Sequence, residues 1–230
     1  MNWLSVAVFG VWPYIALTMF VVGNIWRWRT DQFGWTTRTS ELSEKKILLW
    51  ASPIFHVGML LVLLGHLGGL VIPESFMTSL GVSESAYHLV AVVAGTGAGS
   101  LFALGAVLLV LRRFILKTRL RLVTRPGDVV MYILLALIIV IGMAATLSQN
   151  VFGPGYDYRE TIGVWLRSIF VAKPAIDIMA GAPWIYQLHA GLALGLFAVW
   201  PFSRLVHMWS VPIGYLTRPP IVYRQAGARG

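Results

Sequence analysis

Residues 47–72 of this chain contain no Asp, Glu, Lys or Arg, an apolar run of 26 residues that nevertheless includes two histidines, His56 and His66. As an α-helix rising about 1.5 Å per residue it spans about 39 Å, enough to cross a bilayer with some tilt. A helix that is apolar on every side must be surrounded by apolar material, so the run constrains the whole chain toward a membrane fold. An imidazole in hydrocarbon is costly, so each of these histidines is expected to face the protein interior and to have a specific partner there.

The remaining residues extend the pattern. Hydrophobic residues make up 57% and charged residues 12%, against about a quarter charged in soluble domains. Charge-free runs predict an all-α fold of five transmembrane helices, over about residues 3–26, 47–72, 86–111, 129–147 and 184–207. Residues 1–203 then form one membrane domain and 204–230 a cytoplasmic tail. The apolar start is longer than a signal-peptide core and lacks a basic flank, so the first span is expected to be retained. Between the fourth and fifth spans, Ile162, Trp165, Leu166, Ile169 and Phe170 recur at helical spacing, which predicts a short amphipathic helix at the interface and not a sixth span. The glycines at 95, 97 and 99 resemble a dinucleotide loop, but they sit inside a membrane-length run with no strand before them. Small residues there let a helix or a flat cofactor approach closely.

The net charge of +9 invites a nucleic-acid reading, yet the basic residues fall between the apolar runs. With the N-terminus outside, three inner segments collect 5, 6 and 4 Lys and Arg, and two outer loops collect 0 and 3. That asymmetry predicts N-terminus outside and C-terminus cytoplasmic, and it accounts for the charge without nucleic acid. The absence of cysteine excludes iron–sulfur clusters, thiolate zinc, disulfides and covalently attached haem within this chain.

Topology turns the histidines into pairs. The second span enters from the inner side and the fifth runs the opposite way, so His56 shares a depth with His207, and His66 with His189. A lone intramembrane histidine is often only hydrogen-bonded to a carbonyl. Four of them on two antiparallel spans, matched in twos by depth, make the arrangement that stacks two b-type haems across a membrane. Zinc fits poorly, since it needs three or four ligands at one level. The spacings are unequal. His56 and His66 are ten residues apart, about 15 Å of helix, whereas His189 and His207 are eighteen apart, about 27 Å, so tilt or a kink at Pro201 is required. Gly58, Gly65, Gly68 and Gly69 either pack helices closely or leave room for a porphyrin. Arg112, Arg113 and Arg204 lie at inner helix ends, where they either meet haem propionates or snorkel to lipid headgroups. Met59 and Met208 are expected to pack and not to ligate.

The runs FHVGMLLVLLGHLGGLVIP, AGTGAGSLFALGAVLLVLRR and LHAGLALGLFAVWPFSRLVHMWSVPIGYLTRP, with WPYIALTMF near the start, resemble the gamma (cytochrome b) subunit of membrane-bound respiratory nitrate reductase. The resemblance covers nearly the whole chain. It implies a five-helix dihaem cytochrome of the cytoplasmic (inner) membrane. That protein oxidises quinol near the outer face and passes electrons to an iron–sulfur subunit and then to a molybdenum catalytic subunit. It further implies an inner haem b on His56 and His207, an outer haem b on His66 and His189, and quinol beside Gly65 and His66. The family pattern has a lysine at the start of the third helix, whereas this chain has SESAYHLV there, which leaves Tyr87 or His88 to bond the quinol oxygen. His88 is chemically apt, because a neutral imidazole accepts a proton near neutral pH. The inner loops and the arginine-rich tail are the expected docking surface for the soluble subunits. Two other readings use the same residues: the dihaem anchor of another molybdenum or iron–sulfur reductase, and a haem-free transporter or scaffold whose histidines carry protons.

Overall fold

The structure, a computed structural model, describes residues 2–31, 46–116 and 124–210. Most of the tail expected to dock partners, residues 211–230, and much of the two loops expected on the same side, residues 32–45 and 117–123, lie outside the described residues. Among the described residues five helices are long and apolar enough to cross a membrane: α1 (Trp3–Thr30), α2 (Lys46–Val71), α4 (Glu84–Leu116), α5 (Pro126–Val151) and α8 (Trp184–Phe202). Three short helices lie between them, α3 (Glu74–Ser79), α6 (Ile162–Phe170) and α7 (Ile176–Gly181). The described residues contain no strand.

Local chemistry sets the helix ends. Ser83 caps α4 by accepting the Ala86 N–H at 3.3 Å, with Glu84 in the first turn. Pro126 opens α5 where a missing N–H costs nothing. Pro73 closes α2 by forcing Ile72 into extended backbone, ψ 121°. The last turn of α2, Leu67–Val71, widens to a π-helix, and the Leu70 carbonyl accepts from Arg167 Nη1 at 2.7 Å.

Packing divides the bundle. α2 lies along α4, whereas α8 lies against α5 and α1. Gly58 and Gly105 make the first contact possible, since a Cβ on Gly58 would strike the Phe102 backbone nitrogen and one on Gly105 the Phe55 backbone. Backbone therefore meets backbone across that crossing. Among the described residues α2 and α8 do not pack on one another in this way. The gap between them is bridged by histidines.

The amphipathic segment forms α6, with Ile162, Trp165 and Ile169 buried and Phe170 73% exposed. Its apolar face packs on protein: Trp165 stands edge-on to Phe9 at 6.2 Å between ring centres, and its Nε1 donates to the Phe9 carbonyl at 2.9 Å. Tyr14 Oη donates to the Ile169 carbonyl at 3.1 Å, tying α1 to the end of α6.

The fifth span departs from a single helix over 184–207. Its α-helix runs Trp184–Val199, passes into a 3₁₀ turn at Trp200–Phe202, and is followed by extended Ser203 and a second 3₁₀ segment, Arg204–Ser210. Pro201 causes the break, because it has no N–H and its ring excludes the carbonyl four residues back. α1 receives the break: Arg27 Nη1 donates to the carbonyls of Pro201 at 2.5 Å and Ser203 at 2.8 Å. One turn earlier, Gly23 makes space, since a Cβ there would sit 2.7 Å from Pro201 Cγ.

Candidate functional site

α2 brings His56 and His66 to the gap, α8 brings His189, and the 3₁₀ segment Arg204–Ser210 that follows α8 brings His207. The rings of His66 and His189 have centres 6.0 Å apart at 30°, and those of His56 and His207 are 6.1 Å apart at 83°. Two imidazoles sharing one metal ion need a specific separation. A metal–nitrogen bond is about 2 Å, and a five-membered ring with bonds near 1.35 Å has a radius of about 1.15 Å. The sum for two ligands is roughly 6.3 Å between centres, close to both observed values.

The tautomers are set from behind. Nδ1 of His56 donates to the Ser52 carbonyl at 2.7 Å, that of His66 to the Val62 carbonyl at 2.8 Å, and that of His207 to the Arg204 carbonyl at 2.7 Å. A neutral imidazole donating from Nδ1 holds its lone pair on Nε2, the nitrogen suited to ligation. His189 is held differently, with Nδ1 buried and without a partner of ordinary hydrogen-bond geometry. Its ring lies over Gly142 of α5, where a Cβ would be 2.7 Å from Cε1. Around the His66 pair, a Cβ on Gly65 or Gly68 would have nothing within 4 Å beyond the glycine's chain neighbours and the backbone of its own helix, so no other element covers that face against a flat group. Gly58 and Gly69 serve packing instead, Gly69 against Tyr158 and Tyr87. The separation, the tautomers and the open glycine face all fit iron porphyrin held between the two helices.

At the His207 end the three arginines turn inward. Arg112 and Arg113 are 3% and 5% exposed, so neither extends to a headgroup. Arg113 Nε donates to Thr124 Oγ1 at 2.8 Å. Arg204 pairs with buried Asp128 at 3.0 Å, and its Nε is buried without a hydrogen-bond partner. That orphaned donor suits an anionic oxygen, such as a propionate, at this end of the gap.

At the His66 end, Tyr87 and His88 leave the first turns of α4 in different directions. Tyr87 Oη lies 3.3 Å from Tyr158 Oη beside Gly69, one turn beyond His66, and Arg159 stacks over the Tyr87 ring at 3.9 Å. His88 Nε2 donates to Asn150 Oδ1 at 3.3 Å, and Asn150 Nδ2 donates to Tyr186 Oη at 2.8 Å, three residues before His189. Arg159, 2% exposed, is gripped by Asp157 at 2.9 Å and by Glu84, with Glu74 at 3.9 Å. Burial alone disfavours its charge, but hydrogen bonds and attraction from Asp157 and Glu84 outweigh it and push its pKa up. Burial likewise pushes the Asp157 carboxyl up, and the Arg159 hydrogen bonds and charge overcome this to leave it below the usual range. The Tyr158 phenol is pushed up, first by burial and then by Tyr87, so it stays protonated.

Residues 5–226 match the nitrate reductase gamma subunit family, nearly the full length of the chain. The chain belongs to that family. It is 43% identical to the nitrate reductase gamma chain of Bacillus subtilis (strain 168) over 218 residues, covering 95% of this chain and 97% of that one. It is 32% identical to the respiratory nitrate reductase 1 gamma chain of Escherichia coli (strain K12), covering 95% and 96%. The nitrate reductase-like protein NarX of Mycobacterium tuberculosis (strain H37Rv) is 51% identical over 92% of this chain, which spans 32% of that longer protein. With five apolar helices, this member of the gamma-subunit family is a multi-pass membrane protein.

Several residues at these sites escape a reading of the sequence. Gly142 and Asn150 carry no local signal, because their partners are far away in the chain. Asp128 has one: it is the single acid among the six basic residues of 112–128, and a lone buried charge of that kind has a partner. Tyr158 and Arg159 lie in a connection whose balanced charge conceals them.

Proposed function

We propose that this chain is the dihaem cytochrome b subunit of a respiratory nitrate reductase, taking electrons from quinol at the outer face. It delivers them to an iron–sulfur subunit and a molybdenum catalytic subunit on the cytoplasmic side. The observation that carries the reading is the pair of imidazole gaps, 6.0 and 6.1 Å, at two heights between helices that do not otherwise pack. His56 and His207 would hold the inner haem b and His66 and His189 the outer one, each through Nε2. Bound there, haem b supplies one-electron oxidation and reduction at the two levels.

The protein's own groups then have defined tasks. Gly65 and Gly68 keep the porphyrin and quinol face clear. Tyr87 and His88 are the hydrogen-bonding groups at the outer end. His88 donates from Nε2 to Asn150, so its Nδ1 holds a lone pair able to accept a quinol proton and pass it to water. Arg112, Arg113 and Arg204 place positive charge where propionates and soluble partners meet the inner end. Proton release outward with electron transfer inward couples each electron to about 2.3 kcal/mol per 100 mV of membrane potential.

The test is haem quantification in the assembled complex for His56→Ala and His66→Ala. Each is expected to lose one haem, a different one in each case, and His66→Ala also to abolish quinol oxidation. A complex purified without any b-type absorbance, or one losing both haems equally in both variants, overturns the reading.

A further inference from the structure

We propose that Asp128 is a positioning residue for the His56–His207 pair, acting through Arg204; the proposal rests on that pair holding a haem iron. Of the four paired histidines, three are seated in regular α-helix. His207 is not: it lies in the 3₁₀ segment Arg204–Ser210, after extended Ser203 at φ −115° and ψ 179°. A 3₁₀ segment has poorer hydrogen-bond geometry than an α-helix and sets a side chain less firmly. The direction of His207 therefore depends on tertiary contacts.

Asp128 supplies them. It is 6% exposed, in the first turn of α5, and it holds Arg204 at both ends. Oδ2 accepts from Arg204 Nη2 at 3.0 Å, and Oδ1 accepts from the Arg204 backbone N–H at 3.2 Å. The carbonyl of that same residue accepts Nδ1–H of His207 at 2.7 Å. Carboxylate and imidazole are thus separated by one residue and joined by two hydrogen bonds. The neighbouring glycine brings the elements together: a Cβ on Gly127 would be 2.6 Å from the Phe202 carbonyl oxygen, so the start of α5 seats directly on the break in the fifth span. No other acidic side chain among the described residues pairs with Arg204.

Two consequences follow from the chemistry. Removing the carboxylate frees the Arg204 backbone and loosens the acceptor that fixes the Nδ1–H tautomer of His207. It also leaves a half-buried guanidinium, three residues before His207, without its counter-charge, which favours the reduced, more negative state at that iron. In the whole complex, Asp128→Asn and Asp128→Ala are expected to change the reduction equilibrium of the inner haem by about tenfold toward the reduced form, the scale of one charge-assisted hydrogen bond. The low-spin resonance signal of that haem shifts, while the potential, signal and occupancy of the outer haem stay as in the parent. Loss of the inner haem alone also supports the proposal, with the outer haem reporting a folded bundle. Equal loss of both haems makes Asp128 a residue of general folding and overturns it, as do unchanged potentials and signals at both sites. A parent complex without two haems would instead remove the underlying reading, whatever the variants do.

Discussion

Gly142→Ala concentrates the reasoning into one methyl group. The new Cβ would lie 2.7 Å from Cε1 and 3.1 Å from Nδ1 of His189, whereas carbon atoms in contact sit about 3.5–4.0 Å apart. Either the imidazole or α5 must move by roughly 1 Å, and a ligand site tolerates only about 0.5 Å. Overpacking of this kind costs about 1–3 kcal/mol, which at about 1.4 kcal/mol per decade weakens retention of the outer haem roughly 5- to 150-fold. The assay is haem content and redox titration of the membrane-bound complex. The expected result is loss or displacement of the outer haem alone, with the His56–His207 site unchanged. Gly195→Ala is the control on α8: its Cβ would meet only Leu134 Cδ2, at 3.8 Å, an ordinary contact. If Gly142→Ala retains two haems with parental potentials, the ring of His189 is not seated on α5, and the His66–His189 pair does not hold a haem in this geometry.

Other outcomes follow from the same contacts. Gly58→Ala and Gly105→Ala each drive a Cβ into backbone, which cannot rotate away, so each should lower thermal stability in detergent by about 1–3 kcal/mol. Gly65→Ala meets no atom of another element within 4 Å and should leave that stability unchanged while impairing whatever occupies the space; an equal loss of stability there refutes the open face. At the His66 end of the bundle, Asp157 is held below the usual carboxylate range. Its stabilising contribution is complete above the unfolded value of about 4 and disappears as pH falls through the lower folded value. Protection of residues 153–161 from hydrogen exchange should therefore fall on acidification below about pH 4 in the parent. Arg159→Gln should reduce that protection at neutral pH and flatten its acid dependence; an unchanged profile in the variant refutes the role of the ion-pair cluster.

The charge-free runs were enough to place five helices, because excluding charge from 26 residues leaves few alternatives to crossing a bilayer. Depth matching pairs His56 with His207 and His66 with His189, and the structure places the rings of each pair about 6 Å apart, since two antiparallel spans leave one such pairing. The glycines are harder: Gly58, Gly65, Gly68 and Gly69 are alike in sequence, yet two meet protein and two meet open space, a difference that depends on where α4 and Tyr158 lie against α2. The arginines were harder still. Counting Arg112, Arg113 and Arg204 as topological charges is compatible with their burial, because a residue can bias insertion and afterwards fold inward. The unequal histidine spacing shows the limit most clearly. A straight helix through residue 207 would carry His207 about 12 Å past the level of His56, the difference between eighteen and ten residues of rise. The α-helix instead stops at Val199, ten residues after His189, matching the ten that separate His56 from His66. Pro201 announces a break, but Gly23 and Arg27, which receive it, lie more than 170 residues away in sequence. The His56–His207 pair is therefore made by a tertiary contact at the point where the helix fails, and Arg27→Gln should disturb that pair more than any change within the straight part of α8 that spares His189.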